Sequence, residues 1–173
     1  LDFTATAPVA AIVLELDSRF SIDGIQVGDQ DITDWSNLEG RLTIPLPRPL
    51  EAGESVAVNI AYGGSPHTAT HAPWDGGWVW NESSGKPWIA TAIQGEGCDL
   101  IWPCIDHPMG EPARVDMHIT VPKGLSAPAN GKLVAIQEHG DGSTTWHWTT
   151  RDPNTYAITL NVGPYQELSG QYQ

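Results

Sequence analysis

The chain has 173 residues, with eight Lys and Arg against 21 Asp and Glu, a formal net charge of −13. So acidic a balance argues against nucleic acid, whose phosphates are held by basic side chains, and against anionic membrane surfaces. A chain of this length suits a single all-β domain, residues 1–173, and buries roughly 70 % of its unfolded surface, so neither a metal nor a disulfide is required to hold it together.

Apolar and polar residues alternate with period two along most of the chain, the mark of half-buried strands. Residues 11–17 (AIVLELD) read as a mostly buried strand, and 20–27 (FSIDGIQV) as a second one, broken at Asp23-Gly24. Residues 41–46 form a third, which Pro45 and Pro47 place at a sheet edge because proline donates no ladder hydrogen bond. Glu51-Ala52-Gly53 is a turn, and 55–62 alternates cleanly. Residues 63–77 are a loop rich in Gly, Pro and His. Residues 78–81 and 88–93 then pair as a hairpin around Glu82-Ser83-Ser84-Gly85. Further strands are expected at 113–121, 131–138, 144–149 and 156–163. No window of twelve residues has helical periodicity, and no internal repeat is visible. Many short strands spaced by turns predict an all-β fold, an antiparallel sandwich or saddle with little or no helix.

No apolar run is long enough to span a bilayer, and no leader or lipidation motif is visible, so membrane insertion is not expected. The chain opens on LDFTATAP, like the inside of a strand and without an initiator Met, which points to a piece of a longer protein. Its compartment is left open.

Polar groups, turn chemistry and both cysteines concentrate in residues 87–122. A strand there breaks at Gln94-Gly95-Glu96-Gly97, where two glycines around a carboxylate permit positive φ or close approach of the backbone. A proline-bounded turn follows at 103–108. A bridge between Cys98 and Cys104 would close a very short loop, and two free buried thiols are expected. Cys98, Cys104 and His107 are ligand residue types, but their spacing is wide for zinc and a fourth ligand is missing. His67 and His71 lie in a loop rather than on one helix face. There is no Gly-x-Ser-x-Gly, and Cys104, between Pro and Ile, has no evident activating partner. With 21 acids some carboxylates are bound to be neighbours, so a paired-carboxylate site has no specificity. Asp106, in the proline-bounded turn, is expected to cap local amides. Eight tryptophans are many for this length, and Trp74, Trp78 and Trp80 cluster beside glycines. Exposed, they would stack sugars and make the chain a carbohydrate-binding sandwich; buried, they pack the fold, which is the expectation. A purely structural β domain is a third possibility. On chemistry alone Gln94 and Glu96 are solvated turn residues; alternatively they hydrogen-bond a ligand's amine or amide.

Taken in order, these features resemble the N-terminal domain of the zinc aminopeptidase family that includes aminopeptidase N and the leukotriene-hydrolase-type enzymes. The residues that carry the resemblance are Gln94, then Pro103-Cys104-Ile105-Asp106-His107-Pro108, the strand ending in Val121-Pro122-Lys123, Ala129-Asn130-Gly131, and the segment from Tyr156 to Tyr165. The resemblance implies a saddle-like β domain packed on a zinc-bearing catalytic domain of the same polypeptide that lies outside this chain. It also implies that Gln94 reaches the active site and helps hold the N-terminus of a peptide substrate. Glu96 has no family counterpart, but its carboxylate would add charge there. The family's His-Glu-x-x-His and Gly-x-Met-Glu-Asn motifs are absent. No zinc or other cofactor is therefore expected in this chain, and by itself it should cleave nothing. His107, and Glu111-Pro112-Ala113 after the turn, depart from the usual family residues and leave the subfamily open.

Overall fold

The computed structural model describes residues 1–93 and 95–170. Two compact units emerge, one formed by Leu1–His67 with Cys98–Gly110, the other by Thr68–Gly97 with Glu111–Gln173.

The first unit contains β1 (Asp2–Thr4), β2 (Val9–Glu15), β3 (Phe20–Val27), β4 (Gln30–Ile32), β5 (Ser36–Leu38), β6 (Arg41–Leu50) and β7 (Ser55–Gly64). They make a four-stranded sheet, β1-β7-β3-β4, and a three-stranded sheet, β2-β6-β5. Alternation puts every second side chain on one face, and the inward set is Ile12, Leu14, Leu16, Ile25, Val27, Leu42, Ile44 and Val58, drawn from both sheets. Burying each such side chain contributes about 1.5–3 kcal/mol relative to leaving it in water. The break expected at Asp23-Gly24 is a bulge inside one strand: Ile22 faces Tyr62, Gly24 faces Ala61, and Asp23 is the extra residue.

The edge position expected of residues 41–46 is corrected by the pairing. β6 is the central strand of its sheet, with β2 on one side and β5 on the other. The physical reason is where β5 stops. It covers only Arg41, Leu42 and Thr43, and the prolines at 45, 47 and 49 lie beyond it, where β6 needs no donor toward a second neighbour.

The expectation of free thiols is also overturned, because Cys98 and Cys104 form a disulfide with Cα atoms 6.2 Å apart. A single 3-10 turn, Cys98–Leu100, reverses the chain as the Cys98 carbonyl accepts the Ile101 and Trp102 amides at 3.0 and 3.1 Å. Cys104 is then fastened to the end of β2 through paired backbone bonds with Glu15, 2.8 and 3.0 Å long. Both sulfurs therefore sit buried and face to face despite the short spacing.

The second unit contains β8 (Gly77–Ser83), β9 (Lys86–Ala92), β10 (Arg114–Val121), β11 (Lys132–Glu138), β12 (Thr144–Arg151) and β13 (Asn161–Val162). Its sheets run β13-β9-β8 and β10-β12-β11. β8 and β9 form the expected hairpin, closed by Ser84-Gly85 with both φ values positive, 53° and 76°, the geometry that matches strand twist. Val121, Ala127 and Val162 make a core cluster with Ile89, Ile119, Leu125 and Trp146 against it. The strand expected over 156–163 shrinks to Asn161–Val162, preceded by a 3-10 turn at Thr155–Ala157. Side chains capture the backbone donors a strand would have used. The Thr159 amide donates to Asn130 Oδ1 at 2.7 Å and the Leu160 amide to Thr91 Oγ1 at 2.9 Å. Every strand pair in both units is antiparallel, and the two 3-10 turns are the only helical pieces among the described residues, so the fold is all-β.

Candidate functional site

Residues 87–122 divide between the two units. The turn after β9 belongs to the second, and the segment 98–110 to the first.

The turn is built from its strand. β9 ends at Ala92, and Ile93 drives its side chain into the interior, only 1 % exposed. The Ile93 carbonyl then accepts the amides of Glu96 and Gly97 at 3.1 and 3.2 Å and closes the turn. Gly95 and Gly97 have φ of 90° and 124°, left-handed values that β-carbon-bearing residues adopt only under strain. The glycines flanking the carboxylate are thus required by the backbone. Glu96 is exposed, and among the described residues its carboxylate has no ion-pair or hydrogen-bond partner. Gln94, the other expected anchoring residue, lies outside the described residues.

The loop leading into β8 is organised by Asp75, which accepts the Thr70 amide at 2.6 Å, the Thr70 hydroxyl at 2.5 Å and the His71 amide at 2.6 Å. Those bonds, the Thr70 hydroxyl first, hold the Asp75 carboxyl down to about 2. His71 is thus part of a capped loop, and His67 falls in the other unit. Of the three tryptophans expected to pack, Trp78 is half-buried and stacks on Trp80 with ring centroids 5.7 Å apart. Trp80 and Trp74 are instead exposed, Trp74 at 89 %.

The Pro-Cys-x-Asp-x-Pro segment does structural work in the first unit. Asp106 Oδ1 accepts the Cys98 amide at 3.4 Å, while the Asp106 amide donates to Glu15 Oε2 at 3.1 Å. His107 Nδ1 accepts the Met109 amide at 3.0 Å, and the His107 carbonyl accepts that of Gly110 at 2.7 Å. Asp99 is the perturbed group here. Partial burial pushes its carboxyl up, reinforced by the negative charges of Asp106, Asp17 and Glu15.

One polar cluster gave no sign in the sequence. His118 and His147, direct partners on β10 and β12, stack with centroids 4.0 Å apart, and His147 Nε2 lies 3.1 Å from Asp116 Oδ1. Arg114 also bonds Asp116 and holds its carboxyl well below the usual range. Only strand register brings these side chains together. Among the described residues no group of three or more His, Cys, Asp or Glu is placed to hold a metal ion.

Comparison with known proteins supplies the frame for these features. The chain matches the peptidase M1 N-terminal domain over residues 11–156. It is similar to the crystal structure of an M1 zinc metallopeptidase from Deinococcus radiodurans, with a TM-score of 0.77 and 29 % identity over 94 % of this chain and 36 % of that one. The same figures hold for a mutant of that enzyme bound to a Tyr-Ser-Ala substrate, and for a two-domain M1 zinc metallopeptidase mutant bound to L-arginine. This chain therefore spans 36 % of the length of these solved relatives. No curated protein matches it.

Proposed function

Because the chain belongs to the peptidase M1 N-terminal domain family, we propose that it forms one wall of the substrate cleft of a zinc-dependent aminopeptidase and that its Gln94–Glu96 turn holds the substrate's free amine. The hydrolytic chemistry belongs to a catalytic domain of the same polypeptide, against which this domain packs and where zinc supplies Lewis-acid activation. This chain contributes orientation. A peptide's terminal ammonium is a compact cation with three donors, and a carboxylate accepts such donors in charge-assisted bonds about twice as strong as neutral ones. The carboxamide oxygen of Gln94 accepts a further one. Holding the amine places the first peptide bond at a fixed distance from the reacting centre, which is catalysis through positioning.

The observation that carries this reading is Glu96 itself, an exposed carboxylate without a partner among the described residues, on a turn that two positive-φ glycines shape. The structure of a family member with Tyr-Ser-Ala bound supports a peptide as the ligand class.

The test is kinetic, in the full-length protein that carries this chain. Glu96→Gln and Gln94→Ala should each raise KM for amino-acid p-nitroanilides, lowering kcat/KM by about 1–3 kcal/mol, the usual loss for one polar contact to a charged group. Unchanged KM in both variants would sink the anchoring role.

A further inference from the structure

We propose that Gly76 is a positioning residue for the anchoring turn: its bare α-carbon is the seat on which the Glu96 side chain rests, and it sets the direction in which that carboxylate is offered. The proposal rests on the reading of Glu96 as an amine-holding group.

Gly76 immediately precedes β8, and Glu96 follows β9. The hairpin register pairs Gly77 with Ala92, which brings Gly76 and the turn to the same end of the hairpin. A β-carbon built on Gly76 would overlap both Cβ and Cγ of Glu96 and come within 3.2 Å of the Ala92 carbonyl oxygen. Overlap with a γ-carbon alone is relieved by rotating χ1. Overlap with a β-carbon is not, because the backbone fixes its place. The φ of Gly76 lies outside the left-handed region, so space and not backbone conformation makes glycine necessary at this position.

Neither partner can make room by rotating a side chain alone. On one side, the buried Ile93 and its doubly bonded carbonyl tie the turn to the interior. On the other, Asp75, adjacent to Gly76, is held by its three hydrogen bonds to Thr70 and His71. A side chain at position 76 must therefore displace Glu96. A misplacement of about 1 Å at a substrate-positioning group is enough to cost up to ~100-fold.

The experiment is a double-mutant cycle in the full-length protein, comparing wild type, Gly76→Ala, Glu96→Gly and the double variant by KM, kcat and thermal midpoint. Gly76→Ala is expected to raise KM for an amino-acid p-nitroanilide about five- to tenfold with kcat within about twofold, and to lower the midpoint. In the Glu96→Gly background the same substitution should add nothing to KM and cost little in midpoint, because the overlapping carbons are gone. An unchanged KM in Gly76→Ala, or KM factors that multiply in the double variant, overturns the proposal. If Glu96→Gly alone leaves KM unchanged, the anchoring reading fails and the positioning role falls with it. That failure is told apart from a wrong seat by the midpoints, which stay non-additive if the seat is right and add if it is not. Should Gly76→Ala not fold, recovery of folded protein by adding Glu96→Gly supports the seat, and no recovery overturns it.

Discussion

Asp99 shows how far a residue's chemistry is set by distant parts of the chain. Burial, and then the charges of Asp106, Asp17 and Glu15, raise its carboxyl above the ordinary value. The folded state thus holds this proton more tightly than the unfolded chain. The group's contribution to stability is present below the ordinary carboxylate range and is lost as pH rises through the raised value. Asp99→Asn, neutral at every pH, should therefore raise the thermal midpoint at pH 7, and the gain should shrink as pH is lowered through the carboxylate range. A midpoint that falls at pH 7 would mean the ionised carboxylate is stabilised by something other than these neighbours. Asp75 runs the other way. Its depressed value marks stability present at neutral pH and lost as pH falls toward about 2. Nothing in the sequence separated these two acids from the other nineteen. The hydroxyl that lowers Asp75 is local, whereas Asp99 is raised by burial first, then by Asp106 in the same segment, and then by Asp17 and Glu15 from the end of β2 and just beyond it.

At the scale of elements, glycines that look alike in the sequence divide by what surrounds them. Gly53 and Gly131 have nearly the same left-handed φ, 88° and 86°. A β-carbon at Gly53 meets open space, whereas one at Gly131 would overlap the Thr149 carbonyl oxygen and press on the Thr150 side chain. Gly53→Ala should cost about 1 kcal/mol, the strain of a left-handed alanine. Gly131→Ala should cost that strain plus about 1–3 kcal/mol for overpacking, read from denaturation midpoints; equal costs would show that the β12 backbone gives way freely. The strands themselves were largely legible. The alternation over 20–27 and 55–62 is the alternation of β3 and β7, and 144–149 lies within β12. The short strands β4 and β5 were not, because three residues carry too little period to register, whereas β1 falls in the strand-like opening LDFTATAP. The 156–163 segment misled for a different reason. Its pattern is that of a strand, but Asn130 and Thr91 take the donors a ladder would need.

For the molecule as a whole, 21 acidic against eight basic residues means net repulsion, and among the described residues the ion pairs, such as Arg48 with Glu54 and Arg114 with Asp116, are mostly exposed. Exposed pairs contribute little, while a large net charge opposes compaction. Raising NaCl from about 10 mM to about 150 mM shortens the screening length from roughly 30 to 8 Å, and the thermal midpoint should rise. A midpoint that falls with salt would mean that the local pairs outweigh the repulsion. Composition and period two, both local properties, by themselves determined that the chain is all-β, acidic and turn-rich, and the ordered motifs from Gln94 to Tyr165 determined its family. The tertiary structure decided the rest: that β6 is central where its prolines pointed to an edge, that Cys98 and Cys104 are bridged, and that Glu96 rests on Gly76. Each of these depends on which residues meet when the chain packs, and register and burial are set by packing between segments, which no local pattern records.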